Sequence, residues 1–118
     1  MLWEQHCCLP LVPQADITEI ARYPLGTYAS VNIGYSPQSR ADATELAAAF
    51  SAAAEADGRF VLVGAAADLG VTDRITLAFD LEDSGPLDDD AGNIAYFYDL
   101  GVRSMLTTYN HRNAAGCG

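Results

Sequence analysis

Positive charge is scarce in this chain of 118 residues. Six Lys and Arg stand against 16 Asp and Glu, a formal net charge of −10. Such an acidic surface repels phosphate backbones and anionic membranes, and no basic patch offsets it, so neither nucleic acid nor membrane is expected as a partner. The plainest meaning of the acid excess is solubility. No apolar run approaches the ~18 residues of a membrane helix. The N-terminus lacks the basic start and apolar stretch of a secretory signal. Cysteine is limited to three, an odd number, with Cys7 and Cys8 adjacent. Neighbouring cysteines bridge only with strain, so a disulfide framework is disfavoured and a reducing, cytoplasmic setting is expected. Phosphate loops are missing too: "GYSPQS" and "GAAADLG" match neither the P-loop nor the dinucleotide fingerprint. There is no Gly-x-Ser-x-Gly elbow, and no repeat, linker or low-complexity stretch marks a second domain.

What is present suits a packed α/β domain, since 50% of the residues are hydrophobic. Residues 2–11 are mostly apolar and read as a short buried strand ended by Pro10 and Pro13. Asp16 with Glu19 gives a capping-box pattern for a helix whose inner face is Ile17, Ile20 and Ala21, stopped by Pro24 and Gly26. "TYASVNIGY", residues 27–35, is β-branched and aromatic and reads as a strand. Ser39 with Asp42 opens a long helix. Ala43, Leu46, Ala47, Phe50, Ala53 and Ala54 recur on it at three-four spacing, and Gly58 sits where a glycine cap belongs. "FVLVGAA" and "ITLAFDLE" are strands, the second apolar enough to be buried on both faces as parallel strands are. The loop "DSGPLDDD" carries acids expected to face water. A helix with Ile94, Phe97 and Tyr98 inward follows, ended by Gly101. "VRSMLTTYN" is the last strand. Alternating strands and helices imply parallel pairing with right-handed crossovers.

In parallel α/β folds, reactive groups gather where strands end. His6, Cys7 and Cys8 fall near the end of the first strand, Asn32 and Tyr35 near the end of the second. Asp80 and Glu82 end "ITLAFDLE", and Tyr109, Asn110 and His111 end the last. His6 and Cys8 are two apart and point the same way in a strand, so both could reach one metal ion. A carboxylate such as Glu82 could add a third ligand. The other reading is a buried histidine beside two small apolar cysteines. Asp80 and Glu82 share a face and could form an acid pair. Tyr109 could donate to developing negative charge, or simply close the rim of the core. Cys7 points toward the core, and Cys117 receives no role.

"HCCLP", followed by "FDLEDSGPLDDDAGNIAYFYDLGVRSMLTTYNHRN", resembles the membrane (renal) dipeptidase family. There a His-Asn-Asp-Leu-Pro stretch lies on the first strand, and Glu-Gly-Gly on a later strand is followed by a helix, Tyr-x-Leu-Gly-x-Arg and Leu-Thr-His-x-x-Asn. The resemblance implies a (β/α)8 TIM-type barrel of parallel strands with two zinc ions at its carboxyl rim. It implies a metallopeptidase cleaving small dipeptides with a metal-bridging water. Carried over by position, His6 is a zinc ligand and Glu82 bridges both ions. Cys8 stands where the family has a ligand aspartate, and Tyr109 where it has a histidine that holds the tetrahedral intermediate. Such a barrel needs ~250 residues. The resemblance therefore makes residues 1–118 a partial domain, the first strands and helices of the barrel, inactive by itself and prone to self-association. The alternatives are a non-catalytic α/β binding or oligomerisation module, and a related amidohydrolase of altered substrate.

Overall fold

Every residue of Ile75–Leu81 is buried, and this stretch (β4) is the central strand of the sheet. The computed structural model describes residues 1–118. Around β4 lie the strands Trp3–Cys7 (β1), Tyr28–Asn32 (β2), Phe60–Leu62 (β3) and Val102–Met105 (β5). All pairings are parallel: β1 with β2, β2 with β4, and both β3 and β5 with β4. β3 covers the first half of β4 at Ile75, Thr76 and Leu77, and β5 covers the second half from Phe79 to Leu81. Leaving out the short β3, the order across the sheet is β1, β2, β4, β5, which follows the chain without a reversal.

Two-residue alternation divides the sheet into an apolar and a polar face. Ala29 and Val31 of β2, with Ile75, Leu77, Phe79 and Leu81 of β4, join one core cluster with residues of both helices. Those helices are Arg40–Asp57 (α1) and Asn93–Asp99 (α2). The opposite face carries Tyr28, Ser30 and Asn32, then Thr76, Ala78 and Asp80. Near its start it is closed by a small cluster of Tyr28, Val63 and Ala78 against Leu69. Thr76, buried there, donates its hydroxyl to the Asp68 carbonyl at 3.0 Å.

Helix α1 forms as its sequence dictates. The Ser39 side chain accepts from the Asp42 amide, and the Asp42 carboxylate accepts in return from the Ser39 amide, a complete capping box. The helix ends at Gly58, whose φ of 74° is a left-handed conformation that glycine adopts without strain. Ala43, Leu46, Ala47, Phe50 and Ala54 are buried, whereas Ala53 is exposed. The stripe facing the sheet is narrower than the spacing suggests, and Ala53 falls outside its border.

Other expectations are corrected. β1 is not buried: only Cys7 of its five residues is, because β1 is an edge strand with one neighbour. The Asp16 helix is a single 3₁₀ segment, Ile17–Arg22, capped by Asp16 accepting from the Thr18 amide. The ten positions between Pro13 and Pro24 leave too little chain for an α-helical nucleus to be repaid by further turns. On α2 only Phe97 is buried. Ile94 and Tyr98 are 51% and 54% exposed, since β5 is the last strand and no neighbour covers that side. β5 itself stops at Met105 rather than continuing to residue 110. Leu106 gives its amide to Leu81, and beyond it the chain is held by Asn113, which donates to Ser84 Oγ and the Thr107 carbonyl. No helix is long and apolar enough to cross a membrane.

Candidate functional site

The pairing of β1 with β2 slips between Glu4 and Cys7. The slip sends Cys7 into the core opposite Val31 and leaves His6 and Cys8 on the polar face, beside Asp80 and Glu82 at the end of β4. Burial and the nearby Glu4 carboxylate push the Cys7 thiol up from its ordinary 9.0 to about 11. Its folded state therefore favours the neutral thiol. Stability from this group is complete below pH 9 and is lost as pH rises toward 11. Urea unfolding from about pH 8 to 11 is expected to show a loss on the order of 1–2 kcal/mol in the wild type that is absent from Cys7→Ala. Equal slopes for the two proteins would refute the assignment.

The His6 ring is held on both sides. Its Nδ1 lies 2.8 Å from Asp80 Oδ1. Its Nε2 lies 3.3 Å from Cys8 Sγ and 3.6 Å from Glu82 Oε1. Glu82 is fixed in turn, its Oε2 accepting from Asn32 Nδ2 at 3.1 Å, while Asn32 Oδ1 accepts from the Gly34 amide at 2.8 Å. Asn32 and Asp80 are register partners on β2 and β4, so the anchors sit on the two strands with neighbours on both sides. Asp80 is 3% exposed, and its Oδ2 is buried without a hydrogen-bond partner, as is Ser30 Oγ on β2. Burial raises the Asp80 pKa, and the bond to His6 and the nearby Ser30 hydroxyl pull the other way. Cys8 is exposed. Its pKa is raised by partial burial, then by the Glu82 and Asp80 carboxylates.

His6, Asp80 and Glu82 open onto a hollow of about 600 Å³, lined also by Trp3, Arg103 and Tyr109. Tyr109 lines the same hollow, half exposed, with its ring edge-on to Tyr35 at 6.4 Å. The structure thus brings His6, Cys8 and Glu82 together and puts Tyr109 on the wall of the hollow that His6 and Glu82 line. Among His, Cys, Asp and Glu, no group of three or more is arranged as a ready-made metal cage. Asp80 gives one oxygen to His6, and Glu82 gives one to Asn32, so the cluster is tied up by internal hydrogen bonds. Cys117 is exposed and remote from β1 in the chain, a free thiol like the other two.

Asp80 and Glu82 share a face, as two-residue alternation requires, and the Glu82 charge helps to raise the Asp80 pKa, but each is hydrogen-bonded to another residue. Asp80 holds the back of His6, and Asn32 holds Glu82. The alternation was enough to put Asp80 on the right face but not to select His6 as its partner. Asp83 also departs from the expected water-facing acid. It is fully buried, accepting from Ser36 Oγ and, at 2.7 Å, from the Gly85 amide. This carboxylate ties the loop after β2 to the loop after β4. Gly85 is needed there, because a Cβ would meet the Ser36 Cα at 2.8 Å. Asp88, Asp89 and Asp90 are exposed.

Together these features define an α/β protein with a parallel sheet and a His–Cys–carboxylate cluster where its strands end. No family model matches this chain, and no curated protein matches it.

Proposed function

We propose that residues 1–118 form the first arc of a zinc-dependent (β/α)8 metallohydrolase of the dipeptidase type. His6, Cys8 and Glu82 are its metal-binding side chains, and Tyr109 faces the substrate carbonyl. The observation that carries this reading is the convergence of Cys8 Sγ and Glu82 Oε1 on His6 Nε2. Separations of 3.3 and 3.6 Å suit neighbouring donors around a four-coordinate ion with bonds of about 2.0–2.3 Å. Imidazole, thiolate and carboxylate together form a donor set for a borderline-soft ion such as zinc. The strand order is compatible with the barrel once the short β3, which pairs on the far side of β4, is set aside. β1, β2, β4 and β5 follow the chain in one direction with both helices on one face, whereas a doubly wound sheet reverses at a switch point.

The chemistry that zinc supplies when bound is polarisation of an amide carbonyl and acidification of water. The chain's own residues do the rest. His6 and Cys8 present nitrogen and sulfur from an edge strand, and Asn32 fixes the Glu82 carboxylate beside them. The Tyr109 hydroxyl, on the wall of the same hollow, donates a hydrogen bond to the oxyanion in this reading. The hollow is large enough for a small peptide. A second zinc, as the resemblance implies, would share Glu82 and draw its other ligands from elsewhere.

Zinc titration of metal-free protein tests the reading. One ion per chain at micromolar free zinc is expected, with proton release as the Cys8 thiol ionises. On the loaded protein, L,L- or L,D-dipeptides are expected to perturb the Tyr109 ring resonances where simple lactones do not. Failure to take up zinc would overturn the proposal and favour a non-catalytic module. Perturbation by lactones alone would favour a different amidohydrolase.

A further inference from the structure

We infer that Asp80 is a positioning residue, which holds the His6 ring so that Nε2 presents its lone pair to the hollow. The inference extends the metal reading but has a readout of its own. His6 lies on β1, the edge strand, and its side chain is 40% exposed, so little packing fixes the ring. Asp80 lies on β4, between Asn32 on β2 and Ser104 on β5, and is almost wholly buried. The 2.8 Å contact therefore joins a half-exposed side chain on an edge strand to the buried central strand of the sheet. An ionised carboxylate only accepts hydrogen bonds, so the proton of the neutral ring sits on Nδ1 and Nε2 is left bare. Cys8 Sγ, at 3.3 Å, can then donate its own proton to Nε2. Outer carboxylates that orient metal-binding histidines act in this way.

The cost of Asp80 to the fold points to the same role. A carboxylate on a central strand with one oxygen unpartnered is unfavourable to bury. No hydrogen bond to backbone is made by this side chain, and its one close partner is His6. Replacing it by a small neutral residue should leave stability unchanged or raise it, as often happens when a buried charge is removed with little else lost. A residue kept for structure alone would behave in the opposite way.

Nitrogen-15 NMR of the histidine rings at about pH 8.5 reads the tautomer directly. The wild type is expected to hold His6 as the Nδ1–H form. Asp80→Ala is expected to revert to the Nε2–H form that predominates in water, with a melting temperature no lower than the wild type. Asp80→Asn, whose carbonyl still accepts, is expected to retain the Nδ1–H form. Zinc affinity is expected to fall about 10–100-fold in Asp80→Ala and less in Asp80→Asn. An Nε2–H ring in the wild type, or an unchanged tautomer in Asp80→Ala, would overturn the proposal. A loss of zinc affinity without a tautomer change would overturn it in favour of Asp80 as a direct ligand. The expected tautomers in a wild type that binds no zinc would support the positioning role and refute the metal reading alone.

Discussion

Alanine at position 6 is expected to remove zinc binding from this protein while leaving it folded. His6 supplies the nitrogen on which Cys8 and Glu82 converge, and no other side chain reaches that point. Loss of an outer partner of a metal ligand costs roughly 10–100-fold in affinity, and loss of the ligand itself should exceed that. His6 is on an edge strand and largely outside the core, so His6→Ala removes little packing. It does leave the buried Asp80 carboxylate without its hydrogen-bond partner, so a loss on the order of 1–3 kcal/mol in unfolding free energy is expected, which a domain of ordinary stability survives. Isothermal titration with zinc, beside urea unfolding of the same samples, separates the two effects. Retention of wild-type affinity by His6→Ala would remove His6 from the site.

Phe79→Ala is expected to have the largest effect on stability. Phe79 is 1% exposed in the middle of β4, pairs with Val31 on one side and Val102 on the other, and packs against the turn before β5. A Cβ on Gly101 would already lie 3.2 Å from its ring, so the site has no slack. Removing a buried phenyl group costs about 3–5 kcal/mol, of which part is the cavity left behind. Domains have only about 5–15 kcal/mol in total. The variant should melt lower by on the order of 10–30 °C, as judged by circular dichroism. Ile94→Ala, at an exposed position on α2, should shift the midpoint by little. A Phe79→Ala protein with a near-normal midpoint would show that β4 is not the centre of the core.

Much of the secondary structure was legible because its signals are local. The Ser39–Asp42 box and Gly58 both act within a few residues, and they bound α1 closely. The run of apolar residues in β4 announced burial on both faces, which the sheet confirms. Elements whose environment depends on distant neighbours were less legible. β1 looks like a core strand in composition, but its place at the edge of the sheet exposes it. Ile94 and Tyr98 have helical spacing with Phe97, yet only Phe97 meets the sheet. Asp83 looked like a solvated loop acid, and its burial depends on Ser36, 47 positions earlier in the chain.

The candidate site divides along the same line. Sequence by itself determined which residue types stand at the ends of the strands, and that His6 and Cys8 share a face, because side chains alternate every two residues. It also determined the acid excess and the apolar content that make a parallel core possible. Only the tertiary structure decided that Asp80 grips His6 and that Asn32, not Asp80, holds Glu82. Those pairings join strands 74 and 50 residues apart in the chain. Their partners are set by the register of parallel strands, which no local spacing encodes.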